Sequence, residues 1–533
     1  MALQHFTAAL GLTALMAFSA TQTAVAETPK DTFVIARNIA DIINLDPAEV
    51  FEFSGAEVIA NIYEKVMTFE PDNLTKLVGG TTESYSFSDD GKVITLKMRP
   101  GIIFHSGNPM TAEDVAFSLQ RVVKLKKTPS FIITQFGWDA DNVEKMVQAV
   151  DADTVKLTIT ADLSPGLVLN ALSAGVGSVV DKKLVMSHEK DGDLGYEWLK
   201  THSAGSGPYS LKTWNAGELI MMDANAKDRH GAPAMKRVVI RHVAEASAQR
   251  LLLEKGDVDV AEDLTTDQIK GLMGKPGVEI DTFPQANLMY LAFNQKHTAL
   301  SKPKVQEALR YAIDYNGLAT SILDGTYKIH QAFWPSGMWA SYEETPYSYD
   351  LAKAKALLAE AGHADGGFKV TIDTLNKSPF KEVAQSVQAS LKELGIEGEI
   401  ILADGATLWP KYRARKHDLI IARWGPDYSD PHSNADAFAH NPDNRDEAKL
   451  TGKLSWRNSW SESGSNAATE AAAMETDLAK REAMYKDLQK AMQSASPYAI
   501  MFQLVGTTGR RDNVKGYIRG VTFDQVYFRT VTK

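Results

Sequence analysis

The sequence predicts an α/β protein with mixed sheets flanked by helices. Segments with the alternating apolar pattern of strands, such as residues 92–98, recur along the chain between segments with the apolar spacing of amphipathic helices, such as 304–313. This mixture argues for α/β architecture. Of the 533 residues, 44% are hydrophobic and 23% are charged, as in ordinary globular proteins, and the length suggests about three domains.

The elements of the first half follow from local patterns. Thr111 places a hydroxyl three residues before Asp114 in the manner of a capping box, so a helix is expected to begin there. Gly256 is expected to end another helix. The strands predicted here are 34–36, 92–98, 155–159, 210–214, 219–222 and 238–243, and the helices are 56–67, the one from 111, and 246–255.

The second half repeats the mixture, with Gly362 and Gly395 as expected helix ends. The strands predicted here are 288–293, 370–373, 397–402 and 418–422, and the helices are 304–313, 351–361 and 380–394. Residues 461–472 are rich in Ser, Asn and Ala and are predicted to be a surface excursion.

Charge and cysteine content exclude several functions. With 57 basic and 67 acidic side chains the net charge is -10, which argues against general nucleic-acid binding because phosphates need a basic surface. The chain has no cysteine, so disulfides, thiol nucleophiles, Cys-ligated metals and a lipid-anchored N-terminal Cys are excluded.

The first 26 residues have the pattern of a secretory signal peptide. They contain no Asp, Glu, Lys or Arg, residues 8–18 form an apolar run, and Ala24-Val25-Ala26 stands directly before Glu27 as a cleavage signal. No later segment approaches about 18 consecutive apolar residues. These features predict a protein that is free in the bacterial periplasm after cleavage.

No catalytic constellation is visible in the sequence. His188-Glu189 has no second His, Gly205-Ser206-Gly207 lacks the nucleophile-elbow spacing, and no phosphate-binding loop is present. The sequence therefore predicts no catalytic residue, no cofactor and no enzymatic activity.

One polar cluster suits a metal by spacing. His432, Asp436 and His440 lie four residues apart and would share a face if the segment were helical. The same segment also suits a polar loop capped by Asp430 or Ser433, and we assign no metal ligand.

Eight segments follow one another along the chain in an order that is informative when they are taken together, namely 60–64, 88–107, 109–118, 205–209, 253–259, 291–294, 305–313 and 349–362. Together they resemble the extracellular solute-binding proteins of peptide-type ABC importers (the dipeptide- and oligopeptide-binding family, family 5). Ser106, where the family usually has Asp, and Gln295, where a small hydroxyl residue is common, depart from its pattern.

The resemblance implies a periplasmic-binding-protein-like fold in which two lobes close over a ligand cleft, with an additional domain. It predicts a first lobe of 27–65, 205–290 and 505–533, an extra domain of 66–204, and a second lobe of 291–504. It also implies a monomer that captures a small peptide by hinge closure. The protein would then deliver the peptide to inner-membrane ABC permease subunits and their cytoplasmic ATPases, touching the membrane complex only peripherally.

The resemblance also implies ligand-binding residues. Residues 423–431 are similar to a W-x-x-D-Y segment of the family, in which the carboxylate at the Asp427 position accepts the α-ammonium of the peptide. Trp424 and Tyr428 would form walls, and Arg423 is included as a neighbouring contact. Relatives that bind dipeptides have an Arg for the ligand carboxylate in the segment before Phe380, and relatives that take longer peptides can have one three residues before the Trp. These positions are Thr374 and Ile421 here, so Lys377 is proposed as a substitute partner for the ligand carboxylate.

Two alternatives stay open from the sequence. The same fold could bind a non-peptide cargo: nickel or a metal chelate, haem, an oligosaccharide or an opine-like conjugate. The chain could also be a secreted hydrolase whose site has no recognisable motif.

Overall fold

The computed structural model describes residues 27–533, apart from the side chains of Leu74 and Ala406. The predicted signal peptide, residues 1–26, lies outside the described residues. The strands are β1 (Thr32–Arg37), β2 (Met67–Glu70), β3 (Asn73–Gly79), β4 (Thr82–Phe87), β5 (Val93–Met98), β6 (Val147–Asp151), β7 (Thr154–Thr158), β8 (Tyr209–Asn215), β9 (Leu219–Ala224), β10 (Arg237–His242), β11 (Val260–Ala261), β12 (Val278–Phe293), β13 (Tyr327–Ile329), β14 (Lys369–Leu375), β15 (Glu397–Ala403), β16 (Leu419–Trp424), β17 (Tyr498–Arg511), β18 (Ile518–Arg519) and β19 (Val526–Tyr527).

Helices lie between these strands along most of the chain. Short 3₁₀ helices cover Thr128–Ser130, Gly175–Gly177 and Asp446–Ala448. The α-helices are α1 (Phe53–Ile62), α2 (Ala112–Leu125), α3 (Phe131–Thr134), α4 (Val143–Met146), α5 (Pro165–Ala171), α6 (Lys182–Met186), α7 (Tyr196–Leu199), α8 (Ala246–Lys255), α9 (Thr266–Leu272), α10 (Pro303–Tyr311), α11 (Tyr315–Ala319), α12 (Leu351–Glu360), α13 (Phe380–Glu393), α14 (Gly405–Arg413), α15 (His432–Phe438), α16 (Leu454–Arg457), α17 (Ser463–Met474) and α18 (Leu478–Ala495). In residues 27–533, no helix is both long enough and apolar enough to cross a membrane.

One large mixed sheet passes through both of the predicted lobes. Its strand order is β15-β14-β16-β12-β17-β11-β1-β10-β9-β8, and β13 also pairs with β17. A separate four-stranded sheet, β4-β5-β7-β6, belongs to the extra domain, where α2 packs on it. The structure thus has the mixed sheets flanked by helices that the sequence predicts.

The long strands β12 and β17 join the two lobes. They pair antiparallel along most of their length, with Pro284 opposite Val505 and Leu288 opposite Gln503. Between these pairs the register shifts, and residues 285–287 have no partner in the ladder. An irregularity of this kind bends the strand locally and increases its twist. We call residues 285–287 the hinge segment.

The apolar side chains form separate cores. The largest packs around the second-lobe part of the sheet and includes Leu291, Trp334 and Ile421, all almost completely buried. Another fills the extra domain. The first-lobe core joins residues from β1 and α1 to Phe528 near the end of the chain. The predicted domain boundaries stay a proposal, and Val180, Val185 and Leu199, which they assign to the extra domain, pack in the first-lobe core.

Most predicted elements lie where the sequence places them. Thr111 and Asp114 form the predicted capping box, with the Thr111 amide donating to Asp114 Oδ2 over 2.8 Å. Gly256 ends α8 with φ 77°, a conformation that favours glycine. The helix predicted over 56–67 is shorter, because Tyr63 is already extended and Met67 begins β2.

The prediction of a surface excursion at 461–472 is wrong. The segment forms most of α17, which packs on α18 and α15. The Glu462 carboxylate caps this helix by accepting hydrogen bonds from the amides of Gly464 and Ser465 at 2.9 and 2.6 Å. Small side chains such as Ala472 are buried at the contact, since they allow helices to approach closely. The low-complexity composition is therefore that of a packed helix.

Candidate functional site

A cavity of about 950 Å³ lies where the first lobe, the extra domain and the second lobe meet. Its volume suits a small-molecule or short-peptide ligand. Phe53, Ile59 and Phe523 of the first lobe line it, together with Phe131, Ile132 and Val176 of the extra domain. The hinge segment contributes Ala286 and Asn287. The second lobe contributes the rest of the wall, which includes Trp409, Arg413, residues 423–429, Asp436 and Arg457.

A neighbouring cavity of about 820 Å³ lies across Ser429, between the extra domain and the second lobe. Several of its apolar lining residues, including Tyr85, Phe87 and Leu478, are exposed to solvent. Charged residues on its wall are exposed or paired, as in the ion pair of Lys92 with Asp162. We therefore place the candidate site in the 950 Å³ cavity, where the partly desolvated side chains of Asp427 and Arg423 form no ion pair within residues 27–533.

The loop from 425 to 431, which we call the site loop, connects β16 to α15. Gly425 lies so close to the hinge segment that a Cβ there would be 2.7 Å from the Ala286 carbonyl oxygen. At the other end, Asp430 Oδ1 accepts a hydrogen bond from the His432 amide at 3.0 Å. Asp430 is completely buried and is held by the Arg481 guanidinium through two hydrogen bonds. The loop is thus fixed at both ends.

Asp427 is at the centre of the site loop. Its amide donates to Ser433 Oγ over 2.8 Å, and its half-buried side chain lines the cavity. Among residues 27–533, none forms a hydrogen bond or ion pair with its carboxylate. Burial, and then the negative charge of Asp436, raise the pKa of Asp427 to about 7, while Arg457 opposes the shift. A desolvated carboxylate of this kind favours a cationic partner.

Trp424 and Tyr428 differ in what they present to the cavity. Trp424 is half-buried, packs edge-on against Phe438, and donates from Nε1 to Asn434 Oδ1 over 3.2 Å. Tyr428 is 6% exposed and packs into the extra-domain core, and its hydroxyl donates to Gln135 Oε1 over 3.5 Å. Both line the cavity, but Tyr428 also links the second lobe to the extra domain.

Arg423 and Lys377 occupy different positions. The half-buried Arg423 guanidinium lies 5.5 Å from the centre of the Phe53 ring, and it lines both the main cavity and an adjoining one of about 720 Å³. Lys377 is exposed and is not part of the wall of either cavity. Its ammonium lies 5.9 Å from the centre of the Phe380 ring. Their assignment as ligand contacts stays a prediction.

The spacing of His432, Asp436 and His440 does not produce a metal cluster. Helix α15 ends at Phe438, so His440 leaves the shared face. The Asp436 carboxylate accepts hydrogen bonds from His440 Nδ1, at 2.8 Å, and from the Lys453 ammonium. Across the described part of the chain, no group of three or more His, Cys, Asp or Glu side chains is arranged to hold a metal ion.

Several cavity residues have no signal in the sequence. Phe53 and Phe523 stack with ring centres 3.6 Å apart, although 470 positions separate them. Arg413 ends α14 and Arg457 ends α16, both outside the segment that resembles a known motif. These residues meet only through tertiary structure, so neither spacing nor composition could identify them.

Comparison with known proteins agrees with this architecture. A family model described as bacterial extracellular solute-binding proteins, family 5 Middle, matches residues 76–446. The probable D,D-dipeptide-binding periplasmic protein DdpA of Escherichia coli (strain K12) is 27% identical over 507 residues, covering 94% of each chain. The glutathione-binding protein GsiB of Shigella dysenteriae serotype 1 is 27% identical over 395 residues, covering 74% of this chain and 73% of GsiB.

The fold is also that of solved periplasmic binding proteins. The ABC transporter-associated periplasmic binding protein DppA from Helicobacter pylori, in complex with the peptide STSA, superimposes with a TM-score of 0.77 at 24% identity. The match covers 94% of this chain and 98% of that one. The predicted fold class and the resemblance to peptide-type solute-binding proteins are therefore confirmed. Since the family model spans well over half of the sequence, the chain belongs to the bacterial extracellular solute-binding proteins of family 5.

Proposed function

We propose that this protein is the substrate-binding component of an ABC importer and that it captures short peptides in the cleft at Asp427. The observation that carries the proposal is the half-buried Asp427 carboxylate, which lines the cavity without a partner among the described residues. The names of the similar proteins DdpA and DppA, which refer to a dipeptide and to a bound peptide, support this cargo class.

The α-ammonium of the peptide would occupy the space in front of Asp427. A charge-assisted hydrogen bond there supplies the carboxylate with the partner it lacks. Binding then favours the ionised form, so the pKa of Asp427 falls from about 7 when the ligand enters. Trp424 and the Phe53–Phe523 stack provide apolar walls for side chains of the peptide.

Closure would couple binding to recognition by the permease. The cavity wall comes from both lobes and from the extra domain, so a ligand in it favours the state in which they approach one another. Bending at residues 285–287 permits this motion without breaking the ladder on either side. The closed form is the one that the inner-membrane permease subunits, coupled to their ATPases, would recognise.

We also propose a periplasmic location and the absence of a chemical step. Cleavage after Ala26 would release the protein into the periplasm as a monomer without a lipid tether. The protein would return its ligand chemically unchanged and would use no cofactor. It would contact the membrane only through the transporter.

Isothermal titration calorimetry tests the ammonium contact. Ala-Ala should bind, whereas N-acetyl-Ala-Ala should bind at least tenfold more weakly, because its amine is blocked and cannot pair with Asp427. Asp427→Asn should lose this discrimination, and the exposed control Asp512→Asn should retain it. Equal binding of both peptides to the unmodified protein would contradict the proposed contact.

The same samples distinguish the other cargo classes. Native mass spectrometry of the purified protein weighs any molecule that co-purifies in the cleft, and titration with Ni²⁺, haem, an oligosaccharide or an opine tests the non-peptide cargoes. Mass analysis of the released peptide tests for hydrolysis. Recovery of an intact peptide supports transport, whereas recovery of its fragments would establish a hydrolase.

A further inference from the structure

We infer that the ligand of this cleft is an acidic peptide, with one primary amine and at least two carboxylates. The inference rests on the proposed function, since it assumes that the 950 Å³ cavity is the peptide site. It adds the net charge of the cargo, which neither the fold nor the Asp427 contact determines.

The wall of the cavity carries more positive than negative charge. Five basic and three acidic side chains line it, namely Arg413, Arg423, Lys449, Lys453 and Arg457 against Asp427, Asp436 and Asp524. Two of the acids are already neutralised. Lys453 and His440 hold Asp436, and Lys65 donates to Asp524 over 2.6 Å. Asp427 is the remaining acid, and four other basic side chains line the same cavity, although the whole protein has a net charge of -10.

Arg413 and Arg457 form a first cationic pair on the second-lobe wall. Arg457 is buried, with its guanidinium carbon 5.7 Å from the Trp424 ring centre, and its Nε donates to the Thr451 carbonyl over 2.7 Å. Within residues 27–533, no carboxylate forms an ion pair with either guanidinium. Partial burial and the charge of Arg457 lower the pKa of Arg413, as expected for like charges without an anion between them.

Arg423 is a second cationic site on the cavity wall, two residues before the site loop. Its guanidinium lies 5.5 Å from the centre of the Phe53 ring. Lys377 is exposed and lies outside the cavity wall, although partial burial and the charge of Arg423 lower its pKa. Asp41 acts on Arg423 from a distance, but it forms no ion pair with it. A ligand carboxylate at Arg423 would neutralise this cation.

Two buried guanidinium groups elsewhere in the protein have a carboxylate partner. Arg121 is paired with Asp46 and Arg481 with Asp430, whereas Arg310 donates only to backbone carbonyls. In the cleft, neither the Arg413–Arg457 pair nor Arg423 forms an ion pair with a carboxylate of residues 27–533. The chemistry that would complete them is one carboxylate at the Arg413–Arg457 pair and another at Arg423, together with an ammonium at Asp427.

Paired peptides test the inference by calorimetry. Ala-Glu and Ala-Gln have nearly the same shape and differ by one negative charge. Glutathione, which has one amine and two carboxylates, is a further acidic ligand with a different spacing of its charges. Ala-Glu should bind at least tenfold more tightly than Ala-Gln. Arg413→Met should reduce this ratio to about twofold or less, since it removes an exposed cation without emptying the core. The control Arg237→Met, in β10 and away from the cavity, should leave the ratio unchanged.

The possible results distinguish a failure of this inference from a failure of the proposed function. If Ala-Gln binds as tightly as Ala-Glu to the unmodified protein, the inference is overturned while peptide binding stands. If no peptide binds, the proposed function itself fails and the inference fails with it. A ratio that persists in both Arg413→Met and Arg423→Met would also overturn the inference, because the charge preference would then come from elsewhere.

Discussion

Arg481 and Asp430 form a buried, two-point ion pair behind the site loop. The guanidinium donates to Oδ2 over 2.8 Å and to Oδ1 over 2.7 Å, and both side chains are at most 1% exposed. The Asn170 side chain also reaches Asp430 Oδ2 at 3.4 Å, so the pair touches the extra domain. This contact sets the position of Asp427, three residues before Asp430.

Removal of Arg481 should therefore destabilise the protein and the site together. Arg481→Met leaves the Asp430 carboxylate buried without its cation, which should lower the free energy of unfolding by about 3–5 kcal/mol. Urea denaturation measures the loss, and peptide affinity should fall as well. In the control Lys480→Met, which removes a solvent-screened ion pair with Glu475, the loss should be far smaller.

The raised pKa of Asp427 makes a prediction about pH. In the ligand-free protein this pKa is about 7, whereas an unfolded Asp titrates near 4, so the folded state binds the proton more tightly. The unfavourable ionisation thus lowers stability as pH rises from about 4 to 7. Asp427→Asn cannot ionise and should raise the melting temperature of the ligand-free protein at pH 8, with little effect at pH 4.

Peptide binding should show the opposite sign. The ammonium contact requires ionised Asp427, so the affinity for Ala-Ala should fall as pH drops from 8 to 5. Calorimetry at both values measures this change. If Asp427→Asn retains the same pH dependence, another group must be responsible for it.

Gly425 should not tolerate a side chain. A Cβ there would lie 2.7 Å from the Ala286 carbonyl oxygen, so Gly425→Ala must displace either the site loop or the hinge segment. We expect a loss of about 1–3 kcal/mol in stability and a weaker affinity for peptide. Gly452→Ala is a matched control on the same cavity wall, because a Cβ there meets nothing within 4 Å. Equal effects of the two substitutions would contradict the steric argument.

Ser106 should resist replacement by the Asp that is usual in the family. Its hydroxyl donates to Asp181 Oδ2 over 2.6 Å, and Asp181 is 1% exposed. Ser106→Asp would place two carboxylates within contact, which should cost about 1–3 kcal/mol. Ser106→Asn retains a donor and should be nearly neutral. Thermal unfolding of the two variants measures the difference.

The sequence predicts the elements well because their signals are local. The Thr111–Asp114 capping box and the Gly256 helix end each depend on residues that are neighbours along the chain. The sequence predicts a surface excursion at 461–472 because the small side chains of this stretch have no apolar periodicity. The buried side chains of the stretch pack against α15, which precedes it, and α18, which follows it, so their burial depends on tertiary structure.

The site could be predicted only in part, for the same physical reason. Asp427 and Trp424 lie in one short segment, and its resemblance to a family motif is visible in the sequence alone. Phe53, Phe523, Arg413 and Arg457 come from four different elements and acquire a shared role only when the lobes are assembled. The lack of a partner for the Asp427 carboxylate is likewise a property of three-dimensional packing.

The shared strands β12 and β17 have a consequence for cooperativity. Each strand contributes residues to both predicted lobes. Neither lobe can lose its part of these strands without exposing the sheet edge of the other, so the two lobes should melt in one calorimetric transition. The extra domain has its own sheet and core and can melt at a different temperature. Damage to the first lobe, far from any ligand, would thus also dismantle the wall that carries Asp427.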